Sequence, residues 1–317
     1  MENTFHRAVS WLMIIAHSII MNYGLLFLSL ILILFFGSWY FRFIFLTVYA
    51  IGLYIPASNN LWYRKIFRAL TSYTEKYIFR QTHYENEPVY SDKSKIMICV
   101  HPHGPLLTHF CYSFTRKHFD NFVIAAHTAI LYLPFVNILM KLFNYRSIDK
   151  TTLVTLMANS ENIITFPGGE ADIIIHEYER HNIYLQNRKG FIKYALQYGY
   201  RLQPCYIFSE TSVFQTFSLM SKRKLLEYSL SKNLLLNSLA YLSIFCFGKA
   251  YLVPFESDNY ASYGEVIELP KIDNPTDEQI AHWHKIYIKT LLKLFNKGIK
   301  KWEKIHGGLK SDKLIIH

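Results

Sequence analysis

Apolar positions fall into three regimes along the 317-residue chain. Between Val9 and Pro56 the strongly polar side chains are few, namely His17, Asn22 and Arg42, and the run at 25–36 is broken only by Ser29. A helix rising about 1.5 Å per residue needs about 20 apolar residues to cross the hydrocarbon core, so this stretch is long enough for two passes. A secretory leader has an apolar region of about 7 to 15 residues and a small-residue cleavage site, and this segment matches neither. The pattern predicts a transmembrane helical hairpin within residues 1–60, turning between Gly24 and Ser38, with Arg42 reaching to an interface. Arg64, Lys65 and Arg68 follow it, and the positive-inside rule puts them, with the domain at 61–317, on the cytosolic side.

Past residue 80 the pattern changes. Short apolar runs at 95–100, 121–126, 162–166 and 202–208 alternate with helical stretches at 127–144, 151–159 and 190–198. This alternation predicts an α/β domain with a mostly parallel sheet flanked by helices, whose ligands bind beyond the carboxyl ends of the strands. The third regime is a long C-terminal helix. Thr276 is its N-cap, Asp277 and Glu278 occupy the first turn, and Ile280, Trp283, Tyr287, Leu291, Leu294, Ile299 and Trp302 recur at helical spacing. Its later turns are rich in lysine, a face for solvent or lipid headgroups. The apolar centre at 234–247 is short for a membrane span and predicts a buried or interfacial helix.

Composition narrows the class. With 51% apolar and 17% aromatic residues the chain is not disordered. Its four cysteines include no CxxC pair, which points to reduced thiols rather than a disulfide framework. The net charge is +11, from 34 Lys and Arg against 23 Asp and Glu. Nucleic-acid binding is disfavoured, because the basic residues form no stripe interleaved with aromatics.

Candidate chemistry lies where two of the predicted strands end. His101-Pro102-His103-Gly104 follows the first of them. Two histidines in a rigid turn read as a general base, as half of a metal site or as polar loop residues. Pro105, Leu106, Leu107 and Thr108 bring no further ligand, so no metal is expected. Phe166-Pro167-Gly168-Gly169-Glu170-Ala171-Asp172 ends the third strand. Its glycines let N–H groups approach an oxyanion or phosphate, with a carboxylate alongside, unless the motif is a plain β-turn. Asn187-Arg188-Lys189-Gly190 joins two cations to a helix N-terminus, a combination suited to phosphates, although an isolated Arg-Lys pair is by default an exposed basic cap.

In combination and order, these segments resemble the diacylglycerol acyltransferase type 2 family, which includes monoacylglycerol and wax-ester acyltransferases. The resemblance extends over Asn187-Arg188-Lys189-Gly190-Phe191, Pro204-Cys205-Tyr206-Ile207-Phe208 with Glu210, and Trp283-His284, or about residues 95–305. Asp172 stands where the family usually has Glu. The resemblance implies acyl transfer from acyl-CoA, a co-substrate with no permanently bound cofactor, to the hydroxyl of diacylglycerol, giving triacylglycerol. It implies His103 as the base in direct attack on the thioester, His101 shaping the turn, and Asp172 or Glu170 orienting the imidazole, with Glu210 in the catalytic set. Gly104, Gly168 and Gly169 would supply oxyanion N–H groups, and Arg188 and Lys189 would hold the CoA phosphates. It further implies a protein of the endoplasmic reticulum membrane or lipid droplet and leaves room for a homo-oligomer. Monoacylglycerol, fatty alcohol and isoprenoid alcohol are alternative acceptors, and an inactive membrane-anchored lipid-binding protein is the alternative of a different class.

Overall fold

The computed structural model describes residues 32–317 apart from 59, 67, 70–78, 114–115, 133–135, 232, 234–235, 237–238, 241–242, 250, 252 and 309–310. In chain order its strands are β1 (Phe79–Glu85), β2 (Ile96–His101), β3 (Phe122–Ala126), β4 (Tyr145–Ser147), β5 (Asn162–Thr165), β6 (His181–Ile183), β7 (Arg201–Ile207), β8 (Gln215–Ser218), β9 (Ile244–Phe247), β10 (Ser257–Tyr263) and β11 (Leu314–Ile316). Its principal helices are α1 (Trp39–Tyr54), α2 (Thr108–Ser113), α3 (Val136–Leu142), α4 (Lys150–Ala158), α5 (Glu170–Ile175), α6 (Gly190–Tyr198), α7 (Lys222–Ser229) and α8 (Asp277–His306).

Seven strands form one sheet in the order β1-β10-β7-β2-β5-β3-β4. From β7 to β4 all neighbours are parallel; β10 runs antiparallel to β7, and β1 lies parallel to β10. This is the predicted α/β class. The four apolar runs are β2, β5, β3 and β7, continuous in hydrophobicity because both faces are covered. Along β2, Met97 and Cys99 face the layer formed with Met157 of α4, Ile192 and Leu196 of α6, and Phe295 and Trp302 of α8. Ile96, Ile98 and Val100 face the opposite layer, with Phe110, Val136 and Met140. α8 starts at the Thr276 capping box shared with Gln279 and ends at a left-handed Gly307, as its sequence signals require.

Two expectations change, and a third lies partly outside the described residues. The predicted helix at 127–144 is divided into a 3-10 turn, Thr128–Tyr132, and α3, with Pro134 between them in the sequence. The predicted helix at 234–247 ends instead as β9, whose aromatic side chains suit a strand, in an antiparallel pair with β8. The first half of the membrane hairpin, residues 1–31, lies outside the described residues. Among those described, α1 has 16 residues, and no helix is long and apolar enough to cross a membrane. The Arg42 guanidinium donates to the carbonyls of Phe35 and Gly37.

α1 nevertheless leaves Trp39, Tyr40, Phe41, Phe43 and Tyr54 exposed, burying only Phe45 and Gly52. Lys141 of α3 donates to the carbonyls of Gly52 and Leu53, each at 2.9 Å, capping the α1 C-terminus. Arg64 is a second tie between the N-terminal region and the domain. It is buried and donates to Asp120 Oδ1 and the Phe119 carbonyl, both at 3.2 Å, and to the Phe143 carbonyl at 2.9 Å.

Candidate functional site

β2 delivers two histidines into different environments. His101 is fully buried at the strand end, its Nε2 2.8 Å from the Tyr287 hydroxyl of α8, and burial lowers its pKa to about 3. Its ring is therefore neutral at physiological pH and joins the sheet to the C-terminal helix. His103 is half-buried, with Nδ1 2.8 Å from the Gly104 carbonyl oxygen. A carbonyl only accepts, so Nδ1 carries the hydrogen and Nε2 of the neutral ring keeps its lone pair. Nε2 has no partner among the described residues. Burial lowers the His103 pKa to about 4, offset in part by the Gly104 carbonyl. The two rings turn to separate partners, and among the described residues no group of His, Cys, Asp and Glu is placed to hold a metal ion.

Asp172 lies close to His103 but meets its main chain. Oδ2 accepts the His103 N–H at 3.1 Å, and Oδ1 accepts the Tyr184 N–H at 2.6 Å. Burial raises this carboxyl to about 7, against the pull of both N–H donors and of Arg188. The expected carboxylate–imidazole contact is thus replaced by a clamp on the turn. Asp172 falls in the first turn of α5, so its side chain folds back over Gly168, where a Cβ would occupy the carboxylate's space. Glu170 does not reach His103 either; its carboxylate is 3.0 Å from Nε2 of His127, which follows β3.

Glu210 holds the far side of the same turn. It follows β7, is fully buried, and accepts the first N–H groups of α2: Thr108 at 2.8 Å on Oε1, His109 at 3.0 Å and Phe110 at 3.2 Å on Oε2. Burial raises its pKa to about 8 although all three donors favour the carboxylate. Its side chain passes where a Cβ on Gly104 would sit, and Gly104 has φ +65°, so only glycine meets both demands.

The glycines divide by role. Gly169 has its N–H bonded to the Phe166 carbonyl at 3.0 Å, so, contrary to the expectation from the sequence, it is not available to an oxyanion. Gly104 and Gly168 make no main-chain N–H bond among the described residues and remain candidates. The β6–α6 loop brings Arg188 beside this assembly. Its guanidinium lies 5.4 Å from the Tyr184 ring centroid, its charge lowers the Asp172 pKa, and its buried Nε has no partner among the described residues. Lys189 is exposed at the N-cap of α6.

Sequence reasoning missed Tyr287, Tyr184 and His127. Tyr287 was visible only as one more position on the buried face of α8, and the main-chain role of Tyr184 leaves no trace in its side chain. A parallel sheet that presents a tautomer-fixed imidazole at its carboxyl edge, beside a glycine turn and a basic loop, fits the class of the acyltransferases. Residues 31–313 match the family model described as diacylglycerol acyltransferase, and the chain belongs to that family of acyl-CoA-dependent acyltransferases. Human acyl-CoA wax alcohol acyltransferase 1 is 27% identical over 65% of this chain and 67% of its own length. Diacylglycerol O-acyltransferase 2 of Dictyostelium discoideum is 28% identical over 66% of this chain and 67% of its own. Mouse acyl-CoA wax alcohol acyltransferase 2 is 24% identical over 94% of this chain and 91% of its own.

Proposed function

We propose that the protein esterifies the hydroxyl of a membrane lipid, diacylglycerol as first substrate, with the acyl group of acyl-CoA. The observation that carries this reading is the Gly104 carbonyl on His103 Nδ1, which leaves Nε2 as the proton acceptor. An aliphatic hydroxyl is a very weak acid and needs such a base to attack a thioester at neutral pH. The hydroxyl proton passes to Nε2 as the oxygen attacks the thioester carbon. The tetrahedral oxyanion is met by N–H groups of Gly104 or Gly168. Collapse breaks the carbon–sulfur bond, and the proton on Nε2 goes to the departing sulfur, releasing CoA thiol and ester. The thiol's ordinary pKa of about 8.5 makes the thiolate a good leaving group. Asp172 and Glu210 act on this scheme by fixing the turn, and Arg188 and Lys189 serve the CoA phosphates.

A wax alcohol as acceptor is the second reading, supported by the names of two relatives. The exposed aromatic collar of α1, with Trp62 beyond it, supports contact with a bilayer, and we assign the protein to the endoplasmic reticulum membrane or lipid droplet with its catalytic domain facing the cytosol. The test is labelled acyl-CoA with a panel of acceptors, using vesicle-reconstituted protein. Replacing His103 by Gln should lower turnover by about 10²–10⁴-fold with the melting temperature retained; turnover near wild type would remove the base assignment. Arg188→Ala and Lys189→Ala should raise the acyl-CoA KM.

A further inference from the structure

Residues 314–317 return to the edge of the site. β11 pairs in parallel with β6, placing Leu314 opposite His181, Ile315 opposite Asn182 and Ile316 opposite Ile183. The ladder continues beyond both strands. The His317 N–H donates to the Ile183 carbonyl at 2.9 Å, and the main-chain oxygen of His317 accepts the N–H groups of Leu185 at 3.0 Å and Gln186 at 2.9 Å. Leu314 and Ile316 pack against the core layer that holds α6 and α8, whereas the Ile315 side chain is exposed. A two-stranded parallel ladder has little stability of its own, so its effect depends on what it holds.

It holds both arms of the site. Between Ile183 and Leu185 lies Tyr184, whose N–H anchors the Asp172 carboxylate that fixes the His103 main chain. Directly after Gln186 come Asn187, Arg188 and Lys189, and the loop is closed on itself by the Arg188 N–H at 3.0 Å from the Leu185 carbonyl. Without residue 317 the Leu185 and Gln186 N–H groups would lose their acceptor, and such groups seek other partners by moving the backbone.

We infer that residues 314–317 are a positioning strap for acyl-CoA binding: they set the backbone of the loop that presents Arg188 and Lys189 and, through Tyr184 and Asp172, keep it in register with the His103 turn. The inference rests on the phosphate role proposed above for those two cations. The strap touches neither substrate, so its residues are positioning residues, and their signature is a change in KM rather than a lost chemical step.

The experiment uses the full chain reconstituted in vesicles. Ile316→Asp breaks the packed side of the strap, His317→Pro removes the main-chain donor to Ile183 together with the imidazole that lies 3.5 Å from Asn182 Oδ1, and Ile315→Asp is the exposed control. Ile316→Val is the conservative variant. The expected result for the first two is faster amide exchange at Leu185 and Gln186 and an acyl-CoA KM raised about tenfold, with kcat within about threefold, since displacement of a binding group by a fraction of an ångström is costly. Ile315→Asp and Ile316→Val should match wild type. Loss of exchange protection in a folded Ile316→Asp or His317→Pro protein with an unchanged KM overturns the strap, as does an equal rise in KM for Ile315→Asp. Arg188→Ala and Lys189→Ala are measured in parallel. If they leave KM unchanged while the strap variants raise it, the phosphate assignment falls and the strap acts on acyl-CoA through other groups of the loop; the reverse pattern removes the strap alone.

Discussion

At the scale of single residues, the candidate base is tuned by main-chain groups. The Gly104 carbonyl selects the tautomer of His103, and burial holds its pKa at about 4, so the ring is unprotonated throughout the neutral range. Asp172 and Glu210 spend their oxygens on five N–H groups of the flanking backbone, so the geometry around the imidazole is prepared before substrate arrives. Gly104 is the most constrained position of the set. Gly104→Ala should destabilise the fold by about 1–3 kcal/mol, from an unfavourable φ and from displacement of the Glu210 side chain, and should lower turnover with it. Gly190→Ala is the matched control, because its Cβ meets nothing within 4 Å. Thermal melting and turnover of the two variants, measured side by side, check the contrast.

Among the elements, one of the ties between the N-terminal region and the domain is a buried cation. Arg64 depends on Asp120 for its counter-charge, and Arg68 shares the same carboxylate oxygen at 2.7 Å. Asp120→Ala should cost about 3 kcal/mol by leaving Arg64 buried without its anion, read as a lower denaturation midpoint. Legibility also varies by element. β2, β3, β5 and β7 were readable as apolar runs, and α8 from its caps and spacing. β10 was not, because all seven of its residues, Ser-Asp-Asn-Tyr-Ala-Ser-Tyr, are buried while most are polar. Ser257 pairs with His109, Asn259 with Ser113 and Tyr260 with Glu85, partners supplied from distant parts of the chain. The site shows the same division. The motifs located His103, Gly104, Asp172 and Arg188, whereas which atoms Asp172 and Glu170 meet depends on Tyr184 and His127, brought in by other strands.

For the molecule as a whole, the buried titratable groups predict a stability maximum. His101, His103, His109, His176 and His181 have pKa values pushed by burial from 6.5 down to between about 3 and about 4. Below pH 6.5 the unfolded chain takes up protons that these rings refuse, so their contribution is lost as pH falls toward 4. Asp172 and Glu210, raised from 3.8 and 4.5 to about 7 and about 8, act in the opposite sense: the folded state keeps protons that the unfolded state releases, and stability declines as pH rises through their folded values. Five imidazoles outweigh two carboxyls up to about pH 6.5, and above it the carboxyls act alone. Melting temperatures at pH 5, 6.5 and 8 should therefore peak at the middle value; a steady rise to pH 8 would contradict the assignment.

The edge of the sheet also imposes an order on biosynthesis. β1 has one neighbour, β10, and Phe79 is paired with Ser257, 178 residues further along. At about 5–20 residues per second the ribosome needs roughly ten to thirty-five seconds to supply that partner. Throughout this interval the apolar first sixty residues are already available while the strand that follows them has nothing to pair with. The seven-stranded sheet therefore cannot be completed until β10 has been made, long after the N-terminal region has left the ribosome.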